Sequence, residues 1–238
     1  MKNWLRWLLL ILVASISVWV INRLYFAEQQ TYHSENPNAD FFYPLDTTAK
    51  IYHFRNVANG LEEEFHRIYM VEDAVGPHLI IEIYAPDGRL REAINYNVDS
   101  LVVQDHMVVN RLSQKEKALI YKNQLYPFDL KKETWFASKF SGVTDSTVIL
   151  QEIFRNFDKK ANCSVLKNNN VEALYFNDKI RRTALNPFTH TEKEVSGQQV
   201  SVFAKGYGLI EWYNRNKSLH FRLERILSQK EWVKIINR

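Results

Sequence analysis

The stretch "HLIIEIYAPDGRLREAINYN", residues 78–97, constrains the fold more than any other part of this sequence. Leu79, Ile81 and Ile83 fall on one face of an extended chain. After Pro86-Asp87-Gly88, Leu90, Ile94 and Tyr96 can face them. Two period-two runs joined by a Pro-Asp-Gly turn specify an antiparallel hairpin. The same signal recurs elsewhere. Asn59-Gly60 is the strongest two-residue hairpin dipeptide. In "SLHFRLE" Leu219, Phe221 and Leu223 point one way, and His220, Arg222 and Glu224 the other.

The glycines fit the same reading. Five of the seven, Gly60, Gly76, Gly88, Gly142 and Gly197, sit at turn signals. Gly206 and Gly208, in "VFAKGYGLIEW", therefore read as a chain reversal or bulge that only glycine adopts cheaply, or as a point where another backbone comes close. A phosphate cradle fits badly, because a dinucleotide fingerprint needs a third glycine opening a helix, and Glu211 stands there.

Three segments carry helical signals. "TVILQEIFRNF", 147–157, places Ile149, Leu150, Ile153, Phe154 and Phe157 on one stripe. It is expected to dock on the concave face of the sheet and fill any cavity there. "SQKEKALIYK" and "SQKEWVKIIN" both open with Ser-x-x-Glu capping boxes, at Ser113/Glu116 and Ser228/Glu231. These two share the pentapeptide "LSQKE". With "YPLD" at 43–46 and "YPFD" at 126–129, they raise a diverged duplication over 43–125 and 126–238. Together the signals predict a mainly β (α+β) fold: a large antiparallel curved sheet or half-barrel with two or three short helices.

The amino-terminal end differs. Trp4 to Ile21 is an apolar run broken only by Arg6, with Ser15 and Ser17 its mildest lapses, long enough as a helix to reach about 27 Å, close to a hydrocarbon core of about 30 Å. Trp4 and Trp7 lie near one end and Trp19 near the other, as in an aromatic belt. Bulky Leu24, Tyr25 and Phe26 follow where a cleavage site would need small residues. Residues 1–24 are therefore expected to be an uncleaved signal anchor, the single transmembrane helix of the chain, and 25–40 a polar tether. Residues 41–238 are expected to form an extracytoplasmic β-rich domain. Lys2 and Arg6 favour a cytoplasmic amino terminus at the inner membrane. Beyond the anchor 28 basic residues meet 27 acidic ones, so the net charge of +4 reports the membrane flanks, and nucleic acid is not an expected partner. Cys163 is alone, so no internal disulfide forms.

No segment carries a recognised catalytic or metal-ligand spacing. The seven histidines show no H-x-H or H-E-x-x-H pattern, and most read as solvated positions on strands. No serine lies in G-x-S-x-G. No catalytic residue, metal ligand or cofactor is assigned. Aromatics form 13% of the chain, and Trp135, Tyr207 and Trp212 are the candidate contacts for a ligand or partner.

"FAKGYGLIEW" at 203–212 and the "YPLD…Y" opening at 43 resemble elements of uncharacterised, membrane-anchored, extracytoplasmic β-rich bacterial proteins. The resemblance implies a large antiparallel sheet and brings no activity. The expected function is that of a non-catalytic anchored domain binding other envelope components. The alternative is a carrier or binder of a lipid or other apolar ligand, and the third reading is a hydrolase with a dispersed site.

Overall fold

The computed structural model describes residues 15–17, 31–110, 112–142 and 147–236. The chain divides into two compact units, Met1–Thr31 and Tyr32–Arg238. In the first unit, residues 15–17 are helical. The rest of the expected anchor lies outside the described residues, and among those described no helix is long and apolar enough to cross a membrane.

The second unit is one antiparallel sheet of thirteen strands. The first half comprises β1 (Lys50–Asn56), β2 (Glu63–Asp73), β3 (Gly76–Tyr84), β4 (Leu90–Asn97), β5 (Val103–Val109) and β6 (Lys115–Lys117). The second comprises β7 (Leu119–Asn123), β8 (Thr134–Ser141), β9 (Val148–Val165), β10 (Asn168–Asn186), β11 (Thr191–Ala204), β12 (Gly208–Asn214) and β13 (His220–Ser228), followed by helix α1 (Gln229–Ile236). The spatial order is β6-β5-β4-β3-β2-β1-β13-β12-β11-β10-β9-β8-β7. Each half is a meander, and the halves join where β1 pairs with β13.

The expected hairpins form. Gly60 (φ +66°) turns β1 into β2 and Gly88 (φ +78°) turns β3 into β4. The facing pairs are Leu79 with Tyr96 and Ile81 with Ile94. Gly197, expected at a turn, instead lies within β11 opposite Ile180.

The sheet curls on itself. Few glycines were available to bend it, but register shifts at His53/Phe54, Ile83/Tyr84, Asn95/Tyr96, Tyr175/Phe176 and Val202/Phe203 do the work, since a bulge bends and twists its strand whatever the residue. The two outer strands, β6 and β7, are nearly one extended segment broken at Ala118. Its first part pairs with β5 and its second with β8. The amide of Ala118 donates to His106 O at 2.8 Å. One stretch of chain thus serves both edges of the sheet, and among the described residues no ladder joins β6 to β7.

Two of the three expected helices are strands. Residues 147–157 belong largely to β9. The inward positions there are Gln151, Ile153, Arg155 and Phe157, so two polar side chains on the inner face hid the period of two. The apolar residues on the outer face, such as Phe154 against Trp135, mimicked a helical stripe. Residues 113–122 supply β6 and β7. Ser113 sits at φ +59° in a turn, and Glu116 accepts from the amide and hydroxyl of Ser141 instead of capping. Only α1 forms as expected. Ser228 and Glu231 make the reciprocal capping box, with Ser228 N donating to Glu231 Oε2 at 2.8 Å and Glu231 N to Ser228 Oγ at 3.3 Å. Trp232 then packs edge-on to Tyr84 in a small cluster with Ile51, Phe65 and Leu227. The shared pentapeptide therefore has two different structures.

The segment expected as a tether is fixed along 32–40. Ser34 Oγ donates to Asp99 O and Asn38 Nδ2 to Phe128 O. It leads into Phe41, Phe42, Tyr43 and Leu45, all buried. Gly206 N donates to Asp40 O at 2.7 Å, and a Cβ on Gly208 (φ +82°) would stand 2.6 Å from Tyr43 Cδ1 and 2.9 Å from Tyr43 N. The two glycines around Tyr207 thus do both jobs open to them. They turn β11 into β12, and they let the 40–43 backbone come close.

Candidate functional site

The curl leaves a cavity of about 470 Å³, partly open to solvent and lined from both halves of the sheet. Contrary to expectation no helix occupies it, because its supposed plug is a wall strand. Ile81, Ile83, Ile94 and Tyr96 line it from β3 and β4, and Phe136 and Ile153 from β8 and β9. Phe203, Leu209, Trp212 and Phe221 line it from β11, β12 and β13. The aromatic segment Phe42–Tyr43 and the buried ring of Tyr126 lie against it, with Phe42 and Tyr126 centroids 4.6 Å apart. Tyr126 is held by donating to Asn38 O at 2.9 Å.

Polar groups gather where the lining is exposed. Glu62, Arg91 and Arg182 are exposed there, with Glu64, Glu92 and Gln151 beside them. Glu64 and His66 are two residues apart on β2, so both point inward. His66 Nε2 donates to Glu64 Oε1 at 2.6 Å, and its Nδ1 meets the Tyr43 hydroxyl at 3.3 Å. Arg91 Nη1 reaches Glu64 Oε2 at 3.3 Å. Burial, then the nearby tyrosines and Glu64, push the Tyr43 phenol well above its ordinary range, so it stays protonated and is no nucleophile.

A second relay lies at the seam. His106 Nε2 donates to Glu92 Oε2 at 3.2 Å, and its Nδ1 accepts from Ser138 Oγ at 3.0 Å. Burial works to raise the Glu92 carboxyl, but the hydrogen bond from His106 and the nearby Arg182 charge hold it below the usual range, so it accepts as a carboxylate. Serine, imidazole and carboxylate are aligned, yet Ser138 is wholly buried and does not line the cavity. The relay braces two edges and offers no hydroxyl to a bound molecule.

The deepest polar contact is ionic. Arg155 binds Asp178 through Nε and Nη2, both at 2.8 Å, and donates from Nη1 to Leu125 O. Ser201 Oγ donates to Asp178 Oδ2 at 2.6 Å. Burial opposes the Arg155 charge, and Asp178 more than offsets it. The guanidinium also lies over the Phe203 ring at 4.9 Å. Every arm of this pair is satisfied, as a buried charge requires.

Of the three aromatic candidates, one is in the cavity wall. Trp212 stacks on Phe221 at 4.9 Å and lies parallel to His66 at 5.8 Å. Trp135 is on the outer face, stacked on Phe154 with Lys122 over its ring. Tyr207 sits in the β11–β12 turn, where its hydroxyl meets Asn168. The structure does not bring the three together. The histidines also depart from expectation. His53, His66, His78, His106 and His220 are buried, each beside a carboxylate: Glu63, Glu64, Asp73, Glu92 and Glu211. Most of these acids sit on a neighbouring strand, so no local spacing announced them; Glu64-x-His66 is the exception. Cys163 is half-buried, and burial pushes its thiol up, as for an unreactive side chain. Among the described residues no cluster could hold a metal ion.

No protein-family profile matches the sequence, and no curated protein is significantly similar to it. Two solved structures are similar. A Parabacteroides distasonis protein provisionally assigned as a lipoprotein is 13% identical, with a TM-score of 0.47 over 79% of this chain and 98% of its own. A Bacteroides fragilis protein provisionally assigned as exported, with a YmcC-like fold, is 13% identical, with a TM-score of 0.34 over 79% of this chain and 99% of its own. Both scores are too low for either structure to guide the reading of this one.

Proposed function

We propose that this protein binds the apolar part of an amphiphile inside its curled sheet, as an extracytoplasmic domain carried on the expected membrane anchor. The cavity supports the reading most directly. Its volume of about 470 Å³ falls within the roughly 300–1,000 Å³ of small-molecule sites. Its lining combines apolar and aromatic side chains with charged groups at its exposed part, and its deeper charge, Arg155, is neutralised by Asp178, the pattern an amphiphile needs. A domain acting only as an envelope scaffold would fill such a space at crystal-like density. A hydrolase would need a nucleophile facing the ligand, and the two relays here hold a protonated phenol and a buried serine.

Native mass spectrometry of the full chain isolated from membranes tests the reading. A stoichiometric adduct of lipid mass is expected, and it should vanish in Ile153→Trp, which fills the cavity. No adduct on a folded chain, or one that survives the filling, would count against it.

A further inference from the structure

Resting on the cavity-binding reading, we infer that the site selects a zwitterionic headgroup, an ammonium and a phosphate on one amphiphile, with Arg182 taking the phosphate and Glu92 the ammonium.

Most of the charges at the cavity are already committed. Arg91 is paired with Glu64, which also receives His66. Glu62 accepts from the Asn56 and Asn59 amides, which anchor it to the β1–β2 hairpin. Arg155 is sealed against Asp178. Two groups remain. Arg182, on β10, donates from Nε to Gln151 Oε1 at 2.8 Å. That bond fixes the guanidinium plane. Among the described residues no carboxylate stands within ion-pair distance of it, so the paired N–H donors of its fork are open. Glu92, on β4, is committed through Oε2 to His106, while its Oε1 accepts no hydrogen bond from the described residues.

These two groups come from different halves of the sheet and line the same cavity without forming an ion pair with each other. They are close enough for the Arg182 charge to lower the Glu92 carboxyl. A purely anionic head would satisfy Arg182 and face Glu92; a purely cationic one would do the reverse. A head carrying both charges satisfies both. A guanidinium fork matches phosphate geometry, and a primary ammonium donates directly to a carboxylate. The apolar lining beyond them receives the acyl chain.

Equilibrium binding of radiolabelled lysophosphatidylethanolamine and of hexadecanol, which has the chain without the charges, to the full chain in amphipol tests this. Lysophosphatidylethanolamine is expected to bind about a hundredfold tighter than hexadecanol, about tenfold for each of two charge-assisted contacts. Arg182→Gln and Glu92→Gln should each remove one of those factors for the zwitterion and leave hexadecanol unchanged. Arg182 is exposed and outside the seam, so Arg182→Gln alone decides the matter if Glu92→Gln weakens the fold. Hexadecanol binding without a preference for the zwitterion, or variants without effect, would overturn the headgroup assignment and leave the cavity reading standing. Failure of both ligands to bind the wild type would overturn the cavity reading itself.

Discussion

Ser138 Oγ and His106 Nδ1 meet at 3.0 Å across the seam where the two edges of the sheet come together, and both residues are wholly buried. The two strands that carry them, β8 and β5, are not laddered to each other; each is paired with part of the 115–123 segment. Ser138→Ala leaves the imidazole acceptor buried without a donor. A loss of about 1–3 kcal/mol is expected from urea unfolding. An unchanged midpoint would show that the seam is held by the Ala118 crossing and apolar contacts alone.

The Arg155–Asp178 pair should be intolerant of one-sided change. Asp178→Ala strands a buried guanidinium, and about 3–5 kcal/mol of stability should go with it. Replacing both, Arg155→Leu with Asp178→Leu, should be milder than Asp178→Ala alone. Chemical denaturation of the three proteins decides this, and a double variant worse than the single would contradict it.

Gly206 and Gly208 separate two reasons for glycine. Both have positive φ, so alanine at either carries the left-handed cost of about 1–2 kcal/mol. At Gly206 a Cβ would meet nothing within 4 Å, whereas at Gly208 it would strike the Tyr43 backbone. Gly208→Ala is expected to lower the thermal midpoint clearly more than Gly206→Ala. Equal losses would mean that the 40–43 segment moves aside freely.

Acid should weaken the fold through His53. Burial lowers its pKa below the ordinary 6.5, assisted by Arg225 and opposed by Glu63 and Glu224. A histidine whose folded pKa is depressed contributes its stability above pH 6.5 and loses it as pH falls through the folded value. The urea midpoint should fall between pH 7.5 and pH 5.5, and the fall should shrink in His53→Gln. Glu92, held low in the fold, acts in the same sense only at more acid pH, below the ordinary carboxylate value of 4.5. A midpoint difference identical in His53→Gln would remove His53 from the account.

The hairpins at Asn59-Gly60 and Asp87-Gly88 were legible because their signals are local: a turn residue between two alternating runs. Helix α1 was legible for the same reason, through Ser228 and Glu231. The strand character of 147–157 was not, since Gln151 and Arg155 occupy inward positions that an alternation test scores as outward. What makes Arg155 tolerable there, Asp178, lies 23 residues on. The site was hidden by the same geometry. His106 finds Glu92 fourteen residues back and Ser138 thirty-two ahead, partners that only the strand order brings together. "LSQKE" shows the limit in one peptide. Ser113 turns with positive φ because β5 must double back onto β6, and Ser228 caps because a helix follows. Trp212 and Trp135 are equally aromatic and equally on strands, and the phase of each strand sends one to the cavity and the other outside.

Photo-crosslinking reads directly whether an acyl chain enters the curled sheet, as the proposed function requires. The full chain, in membranes containing a lysophospholipid with a diazirine on its acyl tail, would be irradiated and its adducts mapped by peptide mass spectrometry. Adducts on cavity residues such as Ile94, Ile153, Leu209 and Phe221, lost on Ile153→Trp, are the expected result. Adducts confined to residues 4–21 and to outer-face positions such as Trp135 would contradict it.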